Sequence, residues 1–246
     1  MMGGERSVDA VERLDKLLAG TGRWSRREVK ELVRRGQVKV DGVTATAADG
    51  KYPDTAAITV DGEAVKLRRF TYVLLHKPAG VLTATEDRRQ ATVIDLLPPE
   101  LRRIGLAPVG RLDKDTTGLL LLTDDGEMTH RLLSPRYHVD KRYLAEVEGQ
   151  LTAADVEAFE KGITLGDGTV CLPAGLALLP DGRCIVTLRE GKFHQVKRML
   201  AMRGAPVVKL HRLSMGTLEL DGDLAAGQWR ELTEREVADL YRACGL

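Results

Sequence analysis

Gly110 to Gly126 reads GRLDKDTTGLLLLTDDG. The four leucines, Leu119 to Leu122, have the composition of a buried strand. Directly ahead of them stand Arg111, Asp113, Lys114 and Asp115. Burying charge is costly unless the charge is paired. These side chains therefore either sit on a rim above a core or are held at its edge for chemistry. If the segment continues the strand, Arg111 and Asp113 share a face, as do Asp113 and Asp115.

Three readings of the carboxylates compete. Two carboxylates can flank a sugar and hydrolyse a glycosidic bond, but that requires them to face each other across the substrate. Asp113 and Asp115 on one strand face point the same way. Asp113, Asp115, Asp124 and Asp125 could gather a divalent metal. Asp124 and Asp125, however, lie in a T-D-D-G turn ahead of a helical segment, where capping is the simpler role. In the third reading a single aspartate works beside a basic group that keeps it ionised.

The composition around this stretch is that of a globular chain. It has 246 residues, 43% apolar and 30% charged, enough for two cores. No apolar run approaches the roughly 20 residues of a membrane span. The N-terminus MMGGERSVDAVERL lacks an apolar signal core, so a cytoplasmic location is expected. Cys171, Cys184 and Cys244 are too scattered for a disulfide framework or a metal pair and are expected as buried free thiols.

The net charge of +1 hides two basic windows. Arg23 to Lys39 holds seven basic and two acidic residues, and Lys192 to Arg212 holds six basic and none acidic. Two separated basic patches point to an anionic partner, nucleic acid first.

The spacing of Val11, Leu14, Leu17 and Leu18 predicts a helix, and Ser25 with Glu28 predicts a capped second one. Asp41-Gly42 and Asp61-Gly62 predict two hairpins. From Thr71 the chain shows many short strands with few helices and no βαβ alternation. The expected class is α+β: a small domain of two helices and a β-ribbon at 1–62, a linker at 63–70, and a domain on a mixed, largely antiparallel sheet at 71–246.

The segment ERLDKLLAGTGRWSRREVKELVRRGQVKVDGV resembles the S4 RNA-binding domain. This resemblance implies RNA contacts from Lys16, Arg23, Arg26, Arg27, Lys30 and Lys39. The opening stretch, with LHKPAGVLTA, SPRYHVDKRYLAEVEG and EGKFHQVKRML, resembles the RsuA/RluA-type pseudouridine synthases. Within that family the S4 fusion and GKFHQVKRM are most similar to the RsuA branch.

The resemblance implies isomerisation of a uridine in ribosomal RNA, 16S for that branch, by a monomeric enzyme needing no cofactor and no metal. It implies Asp113 as the catalytic carboxylate, Tyr143 against the flipped uracil and Lys197 as the basic partner of Asp113. Arg111, Thr117 and Arg198 are implied as RNA or substrate contacts, Arg198 being also the neighbour interchangeable with Lys197 by one step of alignment. The same reaction on 23S RNA, or an RNA-binding assembly protein without activity, are the rival expectations.

Overall fold

The computed structural model describes residues 11–246. The first ten residues, where the expected N-terminal domain begins, lie outside the described residues. The chain divides into two compact units, one running to Thr71 and including Leu97–Leu106, the other holding Tyr72–Leu96 and Ala107–Leu246.

The first unit carries β1 (Val11–Arg13), α1 (Leu14–Ala19), α2 (Arg26–Arg34), β2 (Val38–Val40), β3 (Val43–Thr44), β4 (Lys51–Pro53), β5 (Ile58–Val60), β6 (Glu63–Val65) and, further along the chain, α3 (Pro99–Ile104). The expected capping box is present on α2, with Ser25 and Glu28 each bonding the other's backbone N–H. Val29 and Val33 turn inward and join Leu14, Leu18, Val38 and Ile58 in the core. Both Asp-Gly turns close hairpins, β2–β3 and β5–β6, in a sheet ordered β3-β2-β5-β6.

Two expectations need correction here. Val11 does not continue the first helix but pairs with Pro53 in the β1–β4 ladder. Its side chain is exposed, so its helical spacing from Leu14 carries no packing. Glu63–Val65, placed in the linker, is the edge strand of the four-stranded sheet, paired with Ile58–Val60.

The second unit is an α+β domain on a nine-stranded sheet. Its elements are β7 (Tyr72–Lys77), β8 (Ala107–Pro108), β9 (Thr117–Thr123), α4 (Gly126–Leu133), β10 (Lys141–Val147), α5 (Ala153–Lys161), β11 (Gly175–Leu178), β12 (Cys184–Leu188), α6 (Gln195–Met202), β13 (Val207–Met215), β14 (Leu218–Glu219), β15 (Trp229–Glu231) and α7 (Glu234–Ala243). The order is β11-β12-β10-β13-β9-β7-β15, with β14 on β13 and β8 on β9. Every pairing is antiparallel except β13 with β9.

β9 lies between β7 and β13 and is covered on both faces, so its apolar run is continuous rather than alternating. Leu119, Leu120, Leu121 and Leu122 are all fully buried, each contributing about 2 kcal/mol of burial. β9 meets β13 so closely that a Cβ at Gly118 would lie 2.3 Å from the Arg212 carbonyl oxygen, and Gly118 holds φ +106°. Only glycine fits that crossing. Asp125 N-caps α4 by accepting from the Met128 N–H at 3.0 Å, as the T-D-D-G turn suggested.

Candidate active site

The polar segment ahead of β9 is a turn, not a strand. The Thr116 N–H donates to the Asp113 carbonyl at 3.1 Å. Asp113 is thereby turned away from the sheet rather than aligned along it. The turn is gripped from the end of β7 and the segment that follows it. The Lys77 ammonium donates to the carbonyls of Thr116 (2.9 Å), Pro78 (3.0 Å) and Lys114 (3.3 Å). The Gly80 N–H donates to the Lys114 carbonyl at 2.8 Å, and the Thr83 hydroxyl to that of Leu112 at 2.7 Å. LHKPAGVLT is thus the brace of the aspartate turn. Burial pulls the Lys77 pKa down to about 8 against the opposing charges of Asp115 and Asp113.

The Asp113 carboxylate meets two basic groups from the other side. Lys197 Nζ lies 3.0 Å from its Oδ2, and His194 Nε2 lies 3.3 Å from its Oδ1. Lys197 also pairs with Asp115 Oδ1 at 2.6 Å. Burial opposes the charge on Lys197, but the Asp115 and Asp113 carboxylates hold its pKa above the ordinary lysine value. The hydrogen bond from Lys197 holds the Asp115 carboxyl below the usual range. His194 caps α6 from a left-handed conformation, φ +48°, and its ring stacks on the exposed Phe193 ring at 3.8 Å.

Asp113 opens onto a cavity of about 610 Å³, a size suited to a small organic ligand. Tyr143 and Lys141 line it from one face of β10, Leu210 and Arg212 from one face of β13, and Arg111 from the turn. Among its charged lining residues, Arg111, Lys114, Lys141, Lys192 and Arg212 face only Asp113 and Glu190. Such an excess of positive charge suits a phosphodiester substrate. Among the described residues, no group of three or more His, Cys, Asp or Glu is placed to hold a metal.

Several expected site residues lie elsewhere. Arg198 pairs with Asp167 at 2.5 Å and does not line the cavity, because the next position on a helix is turned by about 100° from Lys197. Thr117 does not line the cavity either; its hydroxyl lies 2.8 Å from His211 Nδ1, toward the opposite face. Asp115 pairs with Lys197. Gln195 is buried against Glu190 at 2.7 Å, a helix-start role.

In the first unit Lys16, Arg23, Arg26, Arg27, Lys30 and Lys39 are all exposed. Lys16 pairs with Glu12 and Arg23 with Glu63. Lys77, Lys141 and Arg212 are further residues of the site that the sequence does not mark as such. All three sit inside strands, where only the two-residue phase could have exposed their inward direction.

A braced aspartate with a lysine partner, above a cation-lined cavity and beside a buried tyrosine, defines an enzyme acting on a nucleic-acid component. The family described as RNA pseudouridylate synthase matches residues 71–202, and the S4 domain matches residues 12–49. The chain belongs to the RNA pseudouridine synthase family, in its S4-bearing, RsuA-type branch. It is 39% identical over 231 residues to the ribosomal small subunit pseudouridine synthase A of Vibrio cholerae, spanning 94% of this chain and 100% of that one. An uncharacterized RNA pseudouridine synthase of Bacillus subtilis, YtzG, is 48% identical over 92% of this chain and 96% of its own. A crystal structure of a pseudouridylate synthase superposes with TM-score 0.66 at 35% identity, covering 93% of this chain and 99% of that one. The chain is an RNA pseudouridine synthase with an RNA substrate.

Proposed function

We propose that the chain converts one uridine of small-subunit, 16S ribosomal RNA to pseudouridine, with Asp113 as the reacting carboxylate. The observation that carries the RNA assignment is the near full-length match to relatives named for the small subunit, in Vibrio cholerae and, at 39% over 93% of this chain, in Escherichia coli.

The exposed cations of the first unit bind RNA phosphates. The target base leaves its stack to enter the cavity. Tyr143 packs on the uracil, and Arg111 meets the RNA at the mouth. Asp113 acts on the ribose, at C1′ as a nucleophile or at C2′ as a base, with Lys197 paired to its carboxylate at 3.0 Å. Action as a monomer in the cytoplasm is part of this proposal.

The test is incubation of the purified protein with 16S and 23S transcripts, followed by chemical mapping of pseudouridine. A single new site on 16S RNA is expected. Modification of 23S alone would overturn the 16S assignment, and full activity in Asp113→Asn would overturn the role of Asp113.

A further inference from the structure

Three cations are buried around the Asp113 turn and the cavity it opens onto, and they are not alike. Lys77 is fully buried and its ammonium has three carbonyl acceptors. Lys141, 4% exposed, donates to one carbonyl, that of Val139, at 3.3 Å. Arg212, 2% exposed, donates from Nε to the Leu119 carbonyl at 2.6 Å, while its Nη2 is buried without a hydrogen-bond partner. Among the described residues, neither Lys141 nor Arg212 forms a salt bridge. Burial, and then the charge of Arg212, lowers the Lys141 pKa to about 8.

A buried cation left without an anion is unfavourable in a folded core. Lys77 shows that this fold satisfies a buried ammonium where the role is structural. Lys141 and Arg212 line the cavity instead. Lys141 lies two residues before Tyr143 on β10, so the two share a face, and Arg212 is the register partner of Tyr143 on β13. The two cations therefore flank the tyrosine on the floor of the cavity.

We propose that Lys141 and Arg212 receive the negative charge of the departing uracil. This rests on the reading of the cavity as the uridine pocket. When the N1–C1′ bond breaks, its electron pair passes to N1 and spreads over O2 and O4, leaving the base an anion. After the base turns, C5 supplies an electron pair to C1′ and the new C5–C1′ bond forms. C5 then loses its proton and N1 gains one, so nothing is added or removed overall. A preorganised pair of cations stabilises this intermediate charge more than the neutral bound uridine, which lowers the barrier. A site for the phosphate of the flipped nucleotide would strengthen binding instead.

The charged and titratable groups sharing the cavity with Lys141 are Arg212 on β13, Tyr143 on its own strand, Arg111, Asp113 and Lys114 on the turn, and Glu190, Lys192 and His194 ahead of α6, while the neighbouring Asp140 carboxylate opposes the fall in its pKa.

The test measures single-turnover tritium release from [5-³H]uridine-labelled RNA, on whichever ribosomal transcript the wild-type protein modifies. A failure of the 16S assignment therefore leaves it intact. Lys141→Met should lower the rate at saturating RNA by about 10²-fold while changing RNA affinity by no more than about threefold. The wild-type rate should fall as the pH rises through about 8, where Lys141 loses its proton. Lys141→Arg, which stays charged, should keep its rate to higher pH. An unchanged rate in Lys141→Met, or a loss confined to RNA affinity, overturns the proposal. If Lys141→Met does not fold, the Lys141→Arg profile decides alone: an alkaline limb identical to the wild type's counts against the proposal.

Discussion

The two groups of cations in this chain stand in opposite environments. Arg26, Arg27 and Lys30 on α2 project into water. Lys77, bonded to the Asp113 turn, and Lys141 and Arg212, which line the cavity, have almost no exposure. A solvated cation costs the fold little and acts on a polyanion through a field that salt screens. A buried cation is costly and acts only on what touches it, at low dielectric. On the proposed reading, positive charge on α2 concentrates RNA without choosing an atom, whereas positive charge in the cavity selects where electrons move.

The comparison can be broken most directly at Asp113. Asp113→Asn keeps the shape of the turn and removes its charge, and tritium release should fall by on the order of 10⁴-fold with RNA binding retained. Lys197→Met comes next, with an expected loss of about 10²-fold in kcat, while Lys197→Arg should recover part of it. If both variants matched the wild type, the contact at 3.0 Å would be packing only.

Stability sharpens the contrast in the other direction. The folded Lys141 pKa of about 8 lies below the ordinary lysine value of 10.5, so folding disfavours its charged form. This penalty is fully present below pH 8 and fades as the pH rises toward 10.5. Lys141→Met should therefore raise stability at pH 7 by about 2 kcal/mol in denaturant unfolding, with the gain shrinking above pH 8. Lys30→Met on α2 should change nothing measurable.

For the exposed group, Arg26→Gln with Arg27→Gln and Lys30→Gln should raise KM for RNA about tenfold at low salt and leave kcat alone. The slope of log affinity against log salt should become shallower by about 2. A change in kcat of the same size would merge the two classes of cation. Smallest of all, Ser25→Ala removes the cap of α2 and should cost about 1 kcal/mol in thermal unfolding, without touching the cavity.

Much of this contrast was legible in the sequence, but unevenly. The α2 face could be read because Ser25, Glu28, Val29 and Val33 fix a helix and its phase, which leaves the cations outside. The hairpins could be read because Asp41-Gly42 and Asp61-Gly62 both take left-handed conformations, at φ 50°, 81°, 51° and 82°. The Leu119–Leu122 strand and the Asp113–Lys197 contact were legible too, the second only through likeness to a family.

Lys141 and Arg212 were not, because a charged residue inside a strand reads as part of its wet face. Their true phase depends on which side of the sheet holds the cavity, and that is set by tertiary packing. Val11–Arg13 carries the spacing of the helix it precedes, because three residues of strand running straight into a helix leave no local boundary signal. Arg198 and Thr117 show the limit of adjacency. One step along a helix or strand turns a side chain to another surface.

The pairing of β7 carries a consequence for synthesis. On one side it meets β9, and on the other it meets β15, with Leu75 opposite Trp229. Tyr72 and Tyr241 then share the Asp125 carboxylate, at 2.8 and 2.6 Å. Contacts so distant along the chain give this unit a high contact order and slow folding. A nascent chain displays β7 and the leucines of β9 long before β13 and β15 exist to cover them. Lys197 also emerges after the turn with which it pairs. The ribosome must therefore release nearly the whole polypeptide before the Asp113 turn has its lysine partner and the cavity its walls.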